Sequence, residues 1–221
     1  MSNAGDPTSF SMDFAIQAKN NVVFSFGIGS DLHPIIIGFD EDNEPFGFAQ
    51  MRRPSLTMTE GLQRIAEVGT LMRSGWHCNS LAVIAEGYAS TRGISEELDM
   101  TKTFAQRFAD GDKRVTECLT VAWASEYGEC EVSVVPYTIG LGRKILWDLD
   151  GGILLKDGRG YGKYPELLLA IAEEVEKIPY PQSVPFELCL LSIANEIEEL
   201  GFYVECDAIG TNMDWINNDD K

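Results

Sequence analysis

The chain has 221 residues, 44% hydrophobic and 24% charged, with 35 acidic against 17 basic residues and a formal net charge of -18. Such proportions support a continuous apolar core and exclude a wholly disordered chain, and no apolar run approaches the ~18 residues of a membrane-spanning helix. The basic residues cluster only in short, separated pairs (Arg52-Arg53, Lys113-Arg114, Arg143-Lys144), which argues against direct nucleic-acid binding, since phosphates need a basic face.

Met1 to Thr8 is polar and lacks the basic-then-apolar pattern of a secretory signal, so residues 1–8 read as a disordered tail or tag remnant. The five cysteines are widely spaced with no CxxC pair. Neither a disulfide framework nor a thiolate zinc site is expected, and a reducing, cytoplasmic setting fits.

Aromatic and β-branched runs at Val22–Phe26, Pro34–Phe39 and Phe46–Ala49, with turn residues between them, predict three short antiparallel strands. Asp40 to Pro45 then forms the turn between the second and third. Its alternate acids resemble the start of a calcium loop, but Pro45 takes the place of the required glycine and Met51 that of the closing glutamate.

Thr57 followed by Glu60 forms a capping box, and Leu62, Ile65, Val68 and Met72 make a helical core stripe that ends at Gly75. Leu81 to Ala85 is apolar at every position, which places that strand inside a sheet covered on both faces. A second helix is predicted over 95–109, capped by Ser95, with Leu98, Phe104, Ala105 and Phe108 facing inward.

Cys118–Glu126 and Glu131–Thr138 read as paired strands, with Pro136 marking an edge or bulge. Arg143–Leu149 and Ile153–Lys156 flank Asp150-Gly151-Gly152, a local hairpin signal. Two helices follow. One opens at Pro165 and carries Leu168, Ile171, Val175 and Ile178; the other runs from Pro185 to Leu200 and buries Phe186, Cys189, Leu190, Ile193 and Ile197. Tyr203–Cys206 adds a last strand.

Antiparallel groups of strands with segregated helices predict an α+β fold: a mixed, largely antiparallel central sheet flanked by about four helices. Residues 9–209 form one domain, and 210–221 a frayed acidic tail. Residues 161–221 hold 13 acids against 3 bases, so the negative charge gathers toward the C-terminal helices.

Three places suggest chemistry. Glu86 follows the doubly apolar strand 81–85, where a partly desolvated carboxylate at the end of an interior strand suits general acid or base work. His77 lies between helix and strand and is a second candidate for proton transfer. Gly158, Arg159, Gly160, Gly162 and Lys163 form a glycine-rich basic loop ahead of a helix, as an anion would need. The glycine spacing is not that of a P-loop, and Tyr164 stands where a magnesium-binding hydroxyl would be.

His33 and His77, the only histidines, show no metal-ligand spacing, and no cofactor or nucleophile motif is complete. Neither a cofactor nor a metal is expected. The sequence therefore points first to a non-catalytic, acidic, cytosolic interaction or regulatory protein with a basic protein partner or a homo-oligomeric contact. The alternative is an enzyme or binding protein for a small phosphorylated or anionic ligand, with Arg159 and Lys163 holding the anion.

Overall fold

The computed structural model describes residues 6–27, 30–53, 57–90 and 102–206. Its first described element is a helix, α1 (Pro7–Phe26), which takes in Pro7 and Thr8 and replaces the strand expected over Val22–Phe26; residues 1–5 lie outside the described residues. Asp6 caps it by accepting from the Thr8 amide at 3.0 Å, Pro7 occupies a first-turn position, and Gly27 ends it at φ 100°. The run Val22–Phe26 is thus helical, and Phe24 and Phe26 project into solvent. Local β-propensity is overridden because the helix buries Thr8, Ser11, Ala15, Ala18 and Lys19 against the sheet. That stripe has helical spacing but mixed polarity.

β1 (Ile35–Phe39) and β2 (Pro45–Met51) form the predicted hairpin, and α2 (Met58–Ser74) starts at Thr57 as its capping residues require. β3 (Ser80–Ser90), β4 (Val115–Ser125) and β5 (Cys130–Ile139) make the long centre of the sheet. Short strands β6 (Ile145–Trp147) and β7 (Ile153–Leu155) follow, then α4 (Lys163–Glu174), α5 (Phe186–Glu199) and β8 (Phe202–Cys206). Between β3 and β4, α3 (Phe104–Ala109) is capped by Thr103 and Gln106. Ser95 and Leu98, assigned to that helix from the sequence, lie outside the described residues, as does the segment 210–221.

The sheet runs β6-β5-β4-β3-β1-β2-β8, with β7 also on β5, and every pairing is antiparallel. The α+β expectation holds; the described strands contain no parallel pair, and the described helices number five. β3 lies mid-sheet as its apolar run required. Alternation along the strands divides the core. Ile36, Leu81, Val83 and Ala122 pack beneath α2, α4 and α5, while Ile35, Ile37, Ile84, Leu119 and Val121 pack beneath α1.

Three further expectations are corrected. β6 and β7 do not form a hairpin around Asp150-Gly151-Gly152; each pairs with β5 instead. Pro136 falls between those two pairings, where its missing amide breaks no ladder, and its carbonyl accepts from Asp148 at 2.9 Å. In α3 the buried side chain is Arg107, held by Asp112 at 3.3 Å, whereas Ala105 and Phe108 are exposed. Phe186 of α5 is exposed too.

Candidate functional site

β1 begins at Ile35, opposite Ile84, but β3 continues to Ser90 against β4. Beyond Ile84, β3 therefore loses its neighbour on one side, and residues 31–34 line the gap instead. The result is a cavity of about 260 Å³ at this end of the sheet. Glu86 sits in mid-strand, not at the strand end expected from its apolar run.

Glu86 is held from three directions. The Leu32 amide donates to one carboxylate oxygen at 2.7 Å, and the Tyr137 hydroxyl donates to the other at 2.8 Å. Lys19, reaching down from α1, forms an ion pair with it. The same ammonium donates to the Ser30 carbonyl at 2.8 Å and lies 5.4 Å from the centre of the Tyr137 ring. A carboxylate offers about four accepting positions. These contacts fill most of them from within the protein, which leaves little capacity for general base work on a substrate.

Strand register builds the rest of the wall. Tyr88 pairs with Glu117 across β3 and β4, and Glu117 with Tyr137 across β4 and β5. A carboxylate thus stands between two tyrosines in one cross-strand row. Asp31, His33 and Tyr164 complete the lining that matters chemically. His33 has its Nδ1 3.0 Å from the Met51 carbonyl, which places the proton there.

Three carboxylates face one buried cation, and the electrostatics follow. Burial raises the Glu117 carboxyl above its ordinary range; Lys19 opposes this, while Glu86 and Asp31 add to it. The Tyr137 phenol is pushed far up by burial and by Glu86, and Tyr88 rises through burial and the same acids. The cavity repels negative charge.

The other sequence candidates lie elsewhere. His77 precedes β3, and within that strand Ser80 and Glu86 are already roughly 20 Å apart at about 3.3 Å per residue. It adopts φ 59°, stacks on Tyr180 at 4.3 Å between ring centres, and its Nε2 is 2.7 Å from the Ile178 carbonyl. These contacts tie the end of α2 to the segment before α5. His77 and Glu86 share no site.

The 158–163 loop is internally occupied. Gly158 is buried against Cys130 and Val132, Arg159 donates to the Gly128 carbonyl at 2.8 Å, and the Gly160 amide donates to Glu166 at 2.8 Å. Gly162 caps α4 at φ 107°, with Lys163 as the first helical residue. The adjoining cavity, about 400 Å³, contains Glu129, Glu131 and Asp157, and Lys156 is bound to Glu131 at 2.8 Å. An anion would meet carboxylates there.

Lys19, Asp31, Glu117 and Tyr137 were not legible as site residues. Lys19 carries no sequence signal, because a lysine in a helix ordinarily faces water. Among the described residues, no three His, Cys, Asp or Glu side chains converge as metal ligands, and no helix is long and apolar enough to cross a membrane. No family model, curated protein or solved structure matches the chain.

Proposed function

We propose that this is a non-catalytic binding protein whose cavity beside Glu86 takes a small organic cation such as an alkylamine or a methylated ammonium. The observation that carries this reading is the Tyr88–Glu117–Tyr137 row with Glu86 and Asp31 beside it. Aromatic faces and carboxylates together attract a desolvated cation. The volume is below that of drug-sized pockets, so the guest is small. Spread of the carboxylates over β3, β4 and the segment before β1 favours a polyatomic cation over a metal ion. The anionic ligand expected from the glycine-rich loop loses support, because Arg159 and the Gly160 amide are already engaged.

Calorimetric titration with tetramethylammonium, butylamine and guanidinium, against neutral and carboxylate analogues of the same size, tests this. At least one cation binds, and Glu117→Gln weakens it at least about tenfold. Equal response to the anionic analogues, or no effect of Glu117→Gln, overturns the reading.

A second reading, interaction with a basic protein, rests on α5. Leu188 and Leu191 are exposed on its outward side. Leu188 borders an apolar groove of about 410 Å³ that also involves Tyr180, Val184 and Ile193. Glu187, Glu196 and Glu199 are exposed on the same helix. A basic segment with apolar residues at helical spacing suits such a surface. Binding of a Lys-rich amphipathic peptide that is lost in Leu188→Glu supports it; equal binding by the variant rules it out.

A further inference from the structure

We propose that the β6–β7 margin of the sheet is a self-association surface that meets a second copy of this chain across a two-fold axis. Both strands pair with β5 alone. Their outer sides carry main-chain donors and acceptors with no ladder partner among the described residues. Both strands are only three residues long, which itself limits pairing; beyond that, proteins ordinarily blunt such a margin with lysine, proline or an inward-pointing charge. None is present within Ile145-Leu146-Trp147 or Ile153-Leu154-Leu155.

The opposite margin shows the contrast. β8 carries Glu205, 7% exposed, with the Tyr203 hydroxyl donating to it. A buried charge in an edge strand discourages a further strand from adding. That device is missing at β6 and β7.

The margin is apolar on both faces. Leu146 pairs with Thr138 and Ile153 with Val134, so both stand on the face covered by α2, α4 and α5. Leu154 pairs with Ser133 and stands on the α1 face. Exposure runs from 39% at Ile153 to 66% at Leu149, a run of large apolar side chains left in water at one edge. With strands this short, side-chain packing supplies most of the contact, and main-chain pairing sets its alignment.

Charge selects the occupant. The chain carries -18, yet residues 141–157 hold three acids (Asp148, Asp150, Asp157) and three bases (Arg143, Lys144, Lys156). A two-fold contact brings like surface against like surface. Over most of this protein that juxtaposition is repulsive; here, even with Glu131 paired to Lys156 at the border of the segment, it is close to neutral. The acid-rich α5 packs on β8, at the other end of the strand order.

Sedimentation equilibrium of the full chain over about 5–200 µM tests the proposal. The wild type sediments as a dimer at the upper end. The double variant Leu146→Glu/Leu154→Glu, with native circular dichroism, sediments as a monomer, its dissociation constant raised at least about a hundredfold. Leu188→Glu on α5 serves as a control and remains dimeric. Hydrogen exchange gives a second readout that needs no variant: amides of 145–147 and 153–155 gain protection as protein concentration rises. A monomeric wild type overturns the proposal, as does a folded double variant that still dimerises, dissociation by Leu188→Glu, or exchange at β6 and β7 that ignores concentration. If the double variant does not fold, the exchange result decides.

Discussion

Lys19 of α1 and Glu86 of β3 form an ion pair between helix and sheet, their side chains 2% and 14% exposed. The pair fixes α1 over the centre of the sheet. Among the described residues it also uses the lysine ammonium nearest the cavity, and no ion pair of Glu117 or Asp31 is seen there. One contact therefore serves both the fold and the character of the site.

Removing one partner leaves the other charge buried and unpaired. Lys19→Met is expected to destabilise the protein by about 3–5 kcal/mol, the usual range for a broken buried pair. Lys19→Met/Glu86→Leu costs less than the sum of the single changes, because no stranded charge remains. Urea denaturation of the three variants measures this. Strict additivity would mean that the pair does not couple α1 to β3.

Glu117 has its carboxyl raised above the ordinary 4.5 by burial and by neighbouring acids. A raised carboxylate favours folding while both states are protonated; that contribution is lost as pH rises from about 4.5 through the folded-state value. Glu117→Gln therefore stabilises the protein at neutral pH and makes no difference well below pH 4.5. Thermal unfolding midpoints across that range check the sign. Since a bound cation favours the ionised form, its binding also releases protons, seen as a buffer-dependent enthalpy.

Gly47 pairs with Cys206 between β2 and β8. A methyl group there would lie 2.7 Å from the Glu205 carbonyl and 3.2 Å from the Cys206 Cα. Backbone cannot yield as a flexible side-chain tip does, so Gly47→Ala should cost about 1–3 kcal/mol. Faster exchange at β8 amides is the accompanying signature, and unchanged stability would contradict the register.

Four cysteines are buried and only Cys189 is partly exposed. Burial pushes the Cys118 and Cys130 thiols up to about 11 and Cys78 higher still, so thiolate is scarce at pH 8. A disulfide reagent is expected to modify one thiol rapidly in the native protein and all five in denaturant. A second fast thiol would reveal an opening of the core.

Hydrophobic spacing alone determined α2, α5, the first turns of α4 and the interior position of β3, because a stripe of Ile65, Val68 and Met72 or a run such as Leu81–Ala85 has few places to go but inward. Val175 and Ile178, assigned to α4, fall beyond its end at Glu174, with Ile178 in solvent. The same logic misses α1. Its buried stripe includes Thr8, Ser11 and Lys19; Thr8 and Lys19 belong inside only because the sheet supplies their partners, Glu131 at 2.9 Å for Thr8 and Glu86 for Lys19. Glu86 was legible as an unusual carboxylate; its function was not. Tyr88, Glu117 and Tyr137 become neighbours solely through the register of three strands, and register is a property of pairing, not of any one segment. Tertiary structure therefore decided where charge gathers: Arg159 and the Gly160 amide of the basic loop are engaged internally, while Glu86, Glu117 and Asp31 come together around the cavity.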